Sequence, residues 1–418
     1  MLSVVSENGY LGAEEWQGFL RDAVGDLLPQ GQRCLCIIPD ATRSMPLDSV
    51  FPLVCRTAKT RGATVDFLIA LGTHPPMSDS EIYRMLGITS EIHQEQYAGV
   101  NIFNHCWQDD NALVAVGELT EQESERLTDG FLKERVAVRI NRKVLEYDRV
   151  FIFGPVFPHE VVGFSGGAKY LFPGVSGPEI LHFFHWLGAL ITNLKINGVK
   201  DTPVRRVIHH AARMVPTPIH AFCFVVQDKN VKGIFVGDLE EAWSAAVDVS
   251  ARTHIIYMPR AYTTVLALAP EMYDELWVAG KCMYKLEPIV ADGGELIIYG
   301  PHIRRISVTH GAYIRRIGYH VRDYFVKQME RFQDIPRGVL AHSTHVRGSG
   351  TYENGVERPR IQVTLATEIP HEECEAVNLG YRDWRSLCVE DFQSREEEGI
   401  LVVPKAGEVL YRLQEQIS

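Results

Sequence analysis

No apolar run in this 418-residue chain is long enough to cross a bilayer. The opening "MLSVVSENGY" has neither the basic start nor the apolar stretch of a secretory leader, so none is expected. No Cys-x-x-Cys pair occurs among the cysteines at 34, 36, 55, 106, 223, 282, 374 and 388, which argues against a zinc knuckle or a thioredoxin-type redox site. A reducing cytoplasm is the compartment to expect. Basic residues are outnumbered, 42 Lys and Arg against 53 Asp and Glu, for a formal net charge of −11. A nucleic acid or an anionic membrane would not be drawn to such a surface. Internal repeats and low-complexity tracts are missing too, as is the H-E-x-x-H pattern of metallohydrolases.

What is present fits a soluble α/β protein. Length makes two domains the natural expectation. The runs "CLCIIPDATR" (34–43), "ATVDFLIALGTH" (63–74) and "DRVFIFGPVFPH" (148–159) read as buried strands ending in polar loops, and Cys34 and Cys36 point to one buried face. Helical patterns such as "LDSVFPLVCRTAKTRG" lie between them, which predicts mostly parallel sheets. A second set of strands is expected at 263–270, 293–303, 337–345 and 360–369. The chain is thus expected to form two α/β domains facing a central cleft. Residues 1–255 would form the first domain, and 256–401 a second that closes the cleft. A C-terminal helix over 402–418 is expected to pack back on the first domain.

The stretch "GFSGGAKYLFPG" (163–174) sets four glycines, a serine and a lysine between a hydrophobic run and a helical one. It is not a P-loop, because Tyr170 follows Lys169 where Ser or Thr is required, and no G-x-G-x-x-G dinucleotide fingerprint exists. A turn needing positive φ explains the glycines but not Lys169, whereas a phosphate cradle at the start of a helix explains both. Histidines frame the loop: His74 and His159 at strand ends, and His182 and His185 on one helical face. Imidazole serves as a metal ligand or as a general base. Asp40 and Arg43, just past a strand, suit either an Asp-stabilised turn or an anion contact.

Taken together, D-x-T-R (Asp40–Arg43), G-T-H-x-P-M (Gly72–Met77), H-x-x-x-G-F-S-G-G-x-K (His159–Lys169) and a helix ending at His185 resemble the nickel-pincer-nucleotide-dependent lactate racemase family. "NGVKDTPVRRVI", "VVQDKNVKGIFVGDLEEA" and "ADGGELII" extend the likeness over most of the chain. The resemblance implies an isomerase that inverts C2 of a 2-hydroxy acid by reversible hydride transfer. Its cofactor would be the pyridinium-3-thioamide-5-thiocarboxylic acid mononucleotide carrying nickel, supplied by cofactor-biosynthesis enzymes and able to bond to Lys169. It implies His74 and His159 as opposed acid–bases and His185 as a nickel ligand. Asp40, Thr42, Arg43, Ser165, Gly166 and Gly167 would join Lys169 around the nucleotide. Lys281 would face the substrate carboxylate, and Trp384 would line the site.

Two departures bear on the substrate. Val278 stands where lactate racemases carry glutamine, and Pro75 where arginine is common. His302, His310, His342, His345 and Arg347 suggest a polar pocket for a longer acid. A sugar acid (aldonate) is therefore expected over lactate, with a lactate or short-chain racemase and a non-catalytic nickel or cofactor-binding protein as the alternatives. A nicotinamide oxidoreductase lacks its fingerprint. The oligomeric state is left open.

Overall fold

A computed structural model describes residues 1–414. The chain divides into two compact units. Unit 1 holds Met1–Phe157, Ser165–Leu181 and Arg205–Arg252; unit 2 holds Pro158–Phe164, His182–Val204 and the chain from Thr253 onward. Two short segments from the first half of the sequence therefore cluster with the second.

Unit 1 is built on a seven-stranded sheet in the order Leu2–Val5, Asn230–Gly237, Ile219–Gln227, Arg149–Pro155, Arg33–Ile38, Thr64–Ile69 and Ile102–Asn104. The first two pairings are antiparallel and the remaining four parallel. Parallel strands covered on both faces read as unbroken apolar runs, and "RVFIFGP" is buried from Val150 to Pro155. Phe153 stacks on Phe222 of the neighbouring strand at 4.5 Å. The helix Leu47–Thr60 covers one face, burying Val50, Phe51, Leu53 and Val54. Strand Arg33–Ile38 connects onward to one side of the sheet and strand Arg149–Pro155 to the other. Their C-terminal ends thus flank a topological switch point, where α/β sheets place ligands.

Unit 2 is built on a five-stranded, all-parallel sheet in the order Gly380–Tyr381, Gln362–Thr367, Val290–Gly300, Tyr262–Leu268 and Ile400–Val403. The helix Leu276–Leu286 is buried along nearly its whole length. Both units are mixed α/β with mostly parallel sheets, as the sequence predicts.

Two expectations are corrected. The run 337–345 is not a strand: Arg337–Arg347 is a helix, opened by Pro336 and ended at Gly348 with φ +83. A short apolar run does not distinguish the two forms. The stretch expected as a C-terminal helix instead forms the strands Ile400–Val403 and Leu410–Leu413, the latter pairing with Ile255–Met258 inside unit 2. Its last residues, 415–418, lie outside the described residues. No helix among the described residues is long and apolar enough to cross a membrane.

Candidate active site

In unit 1 three loops meet beyond the strand ends. The Gly72 N–H donates to the Gly174 carbonyl at 3.0 Å, tying the His74 loop to the end of the glycine loop. His74 Nδ1 lies 2.5 Å from Asp40 Oδ2. The buried carboxylate of Asp40 also accepts from the backbone N–H of Thr42 at 3.1 Å and from its hydroxyl at 2.7 Å. A carboxylate can only accept, so His74 Nδ1 carries the proton and Nε2 is the basic nitrogen. Asp40, expected among cofactor contacts, orients an imidazole. Burial pushes the Tyr170 hydroxyl up, with the charge of Arg43 opposing and that of Asp40 reinforcing, so both groups are within electrostatic reach of the residue next to Lys169.

The glycine loop owes its composition largely to packing. A Cβ on Gly154 would sit 2.1 Å from the Tyr170 ring, and one on Gly174 would sit 2.2 Å from the Tyr170 carbonyl oxygen. Gly166 and Gly167 take φ of +85 and +57, and Cβ atoms there would press on Val156 at 2.6 Å and Trp243 at 2.9 Å. The Ser165 hydroxyl donates to the Pro155 carbonyl and accepts from the Phe157 N–H, while the Trp243 indole N–H donates to the Ser165 carbonyl. Buried Arg205 stacks on Trp243 at 4.1 Å and reaches the Gly166 carbonyl at 3.4 Å. The loop leads into a short 3-10 turn, Gly167–Tyr170, rather than directly into a helix; Pro178–Ile191 starts eight residues later. The N–H groups of Lys169, Leu171, Phe172, Gly174 and Val175 are all spent on local carbonyls. Half-buried Lys169 is the loop's conspicuous charge.

Unit 2 holds the other expected groups. His159 is buried in a tight hairpin in which Pro158–His159 pairs with Gly163–Phe164. Its Nδ1 accepts from the Val161 N–H at 3.1 Å and lies 3.3 Å from Glu160 Oε2. On Pro178–Ile191, His182 Nδ1 accepts from the Gly338 N–H, and half-buried His185 stacks on Phe184. Lys281 is buried on Leu276–Leu286, its ammonium 4.8 Å from the Tyr273 ring centre.

Trp277, four residues before Lys281, was not foreseen. It stacks on His342 at 3.7 Å and lies against His310 at 4.3 Å. The His342 Nε2–H donates to the Trp277 carbonyl. Burial pushes His342 down to about 3; the bond to Trp277 opposes this, and the charges of His345, His310 and His185 add to it. These four histidines therefore form one electrostatic group. Burial likewise takes His345 down to about 4, with the Glu160 charge opposing. Both rings are neutral near pH 7. Arg347 is buried with Nε and Nη1 lacking hydrogen-bond partners, and desolvation lowers its pKa.

Two further expected residues make hydrogen bonds within unit 2. His302 donates to the Pro270 carbonyl, and Trp384 donates its indole N–H to Glu368 while its ring packs against the buried cluster of Leu266, Ile297, Ala366 and Leu387. Among the described residues, no group of three or more His, Cys, Asp or Glu is placed to hold a metal ion by itself.

Residues 20–195 match the lactate racemase N-terminal domain family. The chain is a lactate racemase family homologue. A lactate racemase from Lactiplantibacillus plantarum is 25% identical over 226 residues, 53% of this chain and 49% of that protein. One from Thermoanaerobacterium thermosaccharolyticum is 23% identical over 276 residues, 65% of this chain and 60% of its own length. The homologue thus matches about half to three-fifths of each curated relative. A crystal structure of a Thermotoga maritima protein is 32% identical, with a TM-score of 0.89, covering 97% of this chain and 100% of that one. The lactate racemase apoprotein from T. thermosaccharolyticum shares the fold at 18% identity, with a TM-score of 0.71 over 97% of this chain and 90% of its own.

Proposed function

We propose that this homologue is a racemase or epimerase that inverts C2 of a 2-hydroxy acid, with a nickel-pincer nucleotide as its hydride carrier. The observation that carries the reading is the Asp40–His74 pair, 2.5 Å apart beyond the strand ends. A carboxylate fixing the tautomer of an exposed-edge imidazole is the arrangement of a general base, which mere storage of a cofactor does not require.

The residues fit the cofactor on chemical grounds. Arg43 and Lys169 supply the cations a nucleotide phosphate needs, with Thr42 beside them. Lys169 also brings the amine that a thioamide bond requires. His185 offers the nitrogen that, beside sulfur ligands, suits nickel. When bound, the nucleotide supplies a hydride acceptor, which spares the reaction a carbanion next to a carboxylate. The chain's own part is proton handling and orientation. His74 Nε2 takes the hydroxyl proton from one hand of the substrate, His159 serves the other hand, and Lys281 holds the carboxylate.

For the substrate, the reading favours a larger polar acid such as an aldonate. The support is the Trp277 face with His310 and His342 against it, together with buried Val278 in place of an amide. A lactate-type substrate is the second reading. It is favoured by the names of both curated relatives, and by His302 and His342 spending ring N–H groups on backbone carbonyls.

Intact mass with nickel analysis, after co-expression with cofactor-making enzymes and beside a charged family member, tests the cofactor. A nickel-bearing adduct lost in Lys169→Ala is expected. A bare chain beside a charged control contradicts attachment.

A further inference from the structure

The two proposed bases differ at Nδ1. His74 has the Asp40 carboxylate there at 2.5 Å, which fixes the proton on Nδ1. His159 faces two groups of opposite demand. The Val161 N–H, 3.1 Å from Nδ1, requires that nitrogen to be bare, so the ring proton sits on Nε2. The Glu160 carboxylate, 3.3 Å from the same nitrogen, can only accept and so requires Nδ1–H. Both side chains are largely buried, at 8% and 13% exposed, so neither demand is met by bulk water.

We infer that Glu160 is the positioning residue that draws the His159 proton onto Nδ1, away from the resting hold of Val161, and so brings His159 into the acid–base cycle. The inference rests on His159 being one of the two bases proposed above. On Val161 the ring carries its hydrogen at Nε2 and has no lone pair there for a substrate proton. On Glu160 that lone pair is bare. As a base, His159 then breaks the hydroxyl O–H bond and forms Nε2–H, leaving an imidazolium whose Nδ1–H stays on the Glu160 carboxylate. In the opposite direction, the imidazolium returns the Nε2 proton to the alkoxide. A neutral ring held by Val161 would have to become an imidazolate to do the same, which is out of reach near neutral pH.

The hairpin's surroundings favour the exchange. The Lys285 ammonium donates to the Pro158 carbonyl beside it, and His345, on which the Glu160 charge acts, is neutral by burial. Glu160 thus has His159 as its proton partner, while Lys285 ties down the carbonyl of the residue just before His159.

Nitrogen-15 NMR of the histidine rings in the cofactor-free protein tests the tautomer directly, without requiring any activity. We expect His159 in the wild type to average between the two tautomers and Glu160→Gln to move it to the Nε2–H form, with Glu160→Asp restoring part of the Nδ1–H population. In the cofactor-loaded enzyme, Glu160→Gln should lower kcat at least tenfold with little change in KM. Identical His159 nitrogen shifts in wild type and Glu160→Gln overturn the inference, and so does a shifted tautomer with unchanged kcat. If the loaded wild type inverts no hydroxy acid, the racemase reading fails, while the NMR result still decides the tautomer.

Discussion

Asp40 Oδ2 and His74 Nδ1, 34 residues apart in the chain, are 2.5 Å apart in the fold, and the Thr42 hydroxyl and N–H hold the same carboxylate from behind. The strand ends at Ile38 and Ile69 are neighbours in register, so the loops after them converge without a long connection. Replacing Asp40 with Asn keeps the shape and removes the charge that fixes the tautomer. Asp40→Asn should lower kcat by about 10²-fold or more, the range a positioned general base contributes, with an unchanged melting temperature. Steady-state kinetics beside a thermal melt checks it.

Gly154 and Tyr170 make the second prediction. A methyl group on Gly154 would lie 2.1 Å from the ring, which lies next to Lys169 and is packed on the end of the central strand. Gly154→Ala should destabilise the fold by roughly 1–3 kcal/mol, the usual cost of overpacking, and should weaken cofactor loading as Tyr170 is displaced. Urea unfolding measures the first effect and nickel content the second.

His105 makes a pH prediction independent of activity. Its buried ring donates from Nε2 to the Ser176 carbonyl at 3.0 Å and accepts at Nδ1 from the Asn141 amide at 3.1 Å. Burial takes its pKa from 6.5 down to about 4, with the Ser176 bond opposing. The folded-state value is the depressed one, so the stabilisation is present above pH 6.5 and is lost as pH falls from there toward 4. The loss attributable to His105 is roughly 3 kcal/mol at the acid end, since each tenfold change in proton affinity corresponds to about 1.4 kcal/mol. His345, also taken down to about 4, acts in the same direction. Unfolding free energies across this window should fall more steeply for the wild type than for His105→Gln.

Much of this was legible in the sequence because it lay in short-range pattern. Buried parallel strands announce themselves as apolar runs, and residues just past them, such as Asp40 and His74, fall where such sheets bind ligands. What was not legible depends on partners far away in the chain. The run 337–345 has too few apolar residues to separate a helix from a strand. Sequence alone did not show that the glycines of 163–174 also answer a packing demand, with Tyr170, Val156 and Trp243 standing where their Cβ atoms would be. Trp277 left one usable signal, its i to i+4 spacing from Lys281 on a helix. Glu160 left only its place beside His159, since nothing local shows which ring nitrogen a carboxylate will reach.

The most direct test uses a C2-deuterated 2-hydroxy acid panel, lactate and aldonates included, with cofactor-loaded protein in ordinary water and chiral chromatography coupled to mass spectrometry. Inversion at C2 with the deuterium retained is the predicted result, because in the proposed mechanism the hydrogen leaves and returns as hydride while His74 and His159 exchange only the hydroxyl proton. Inversion with deuterium lost to water, or no inversion beside an active charged control, contradicts the account.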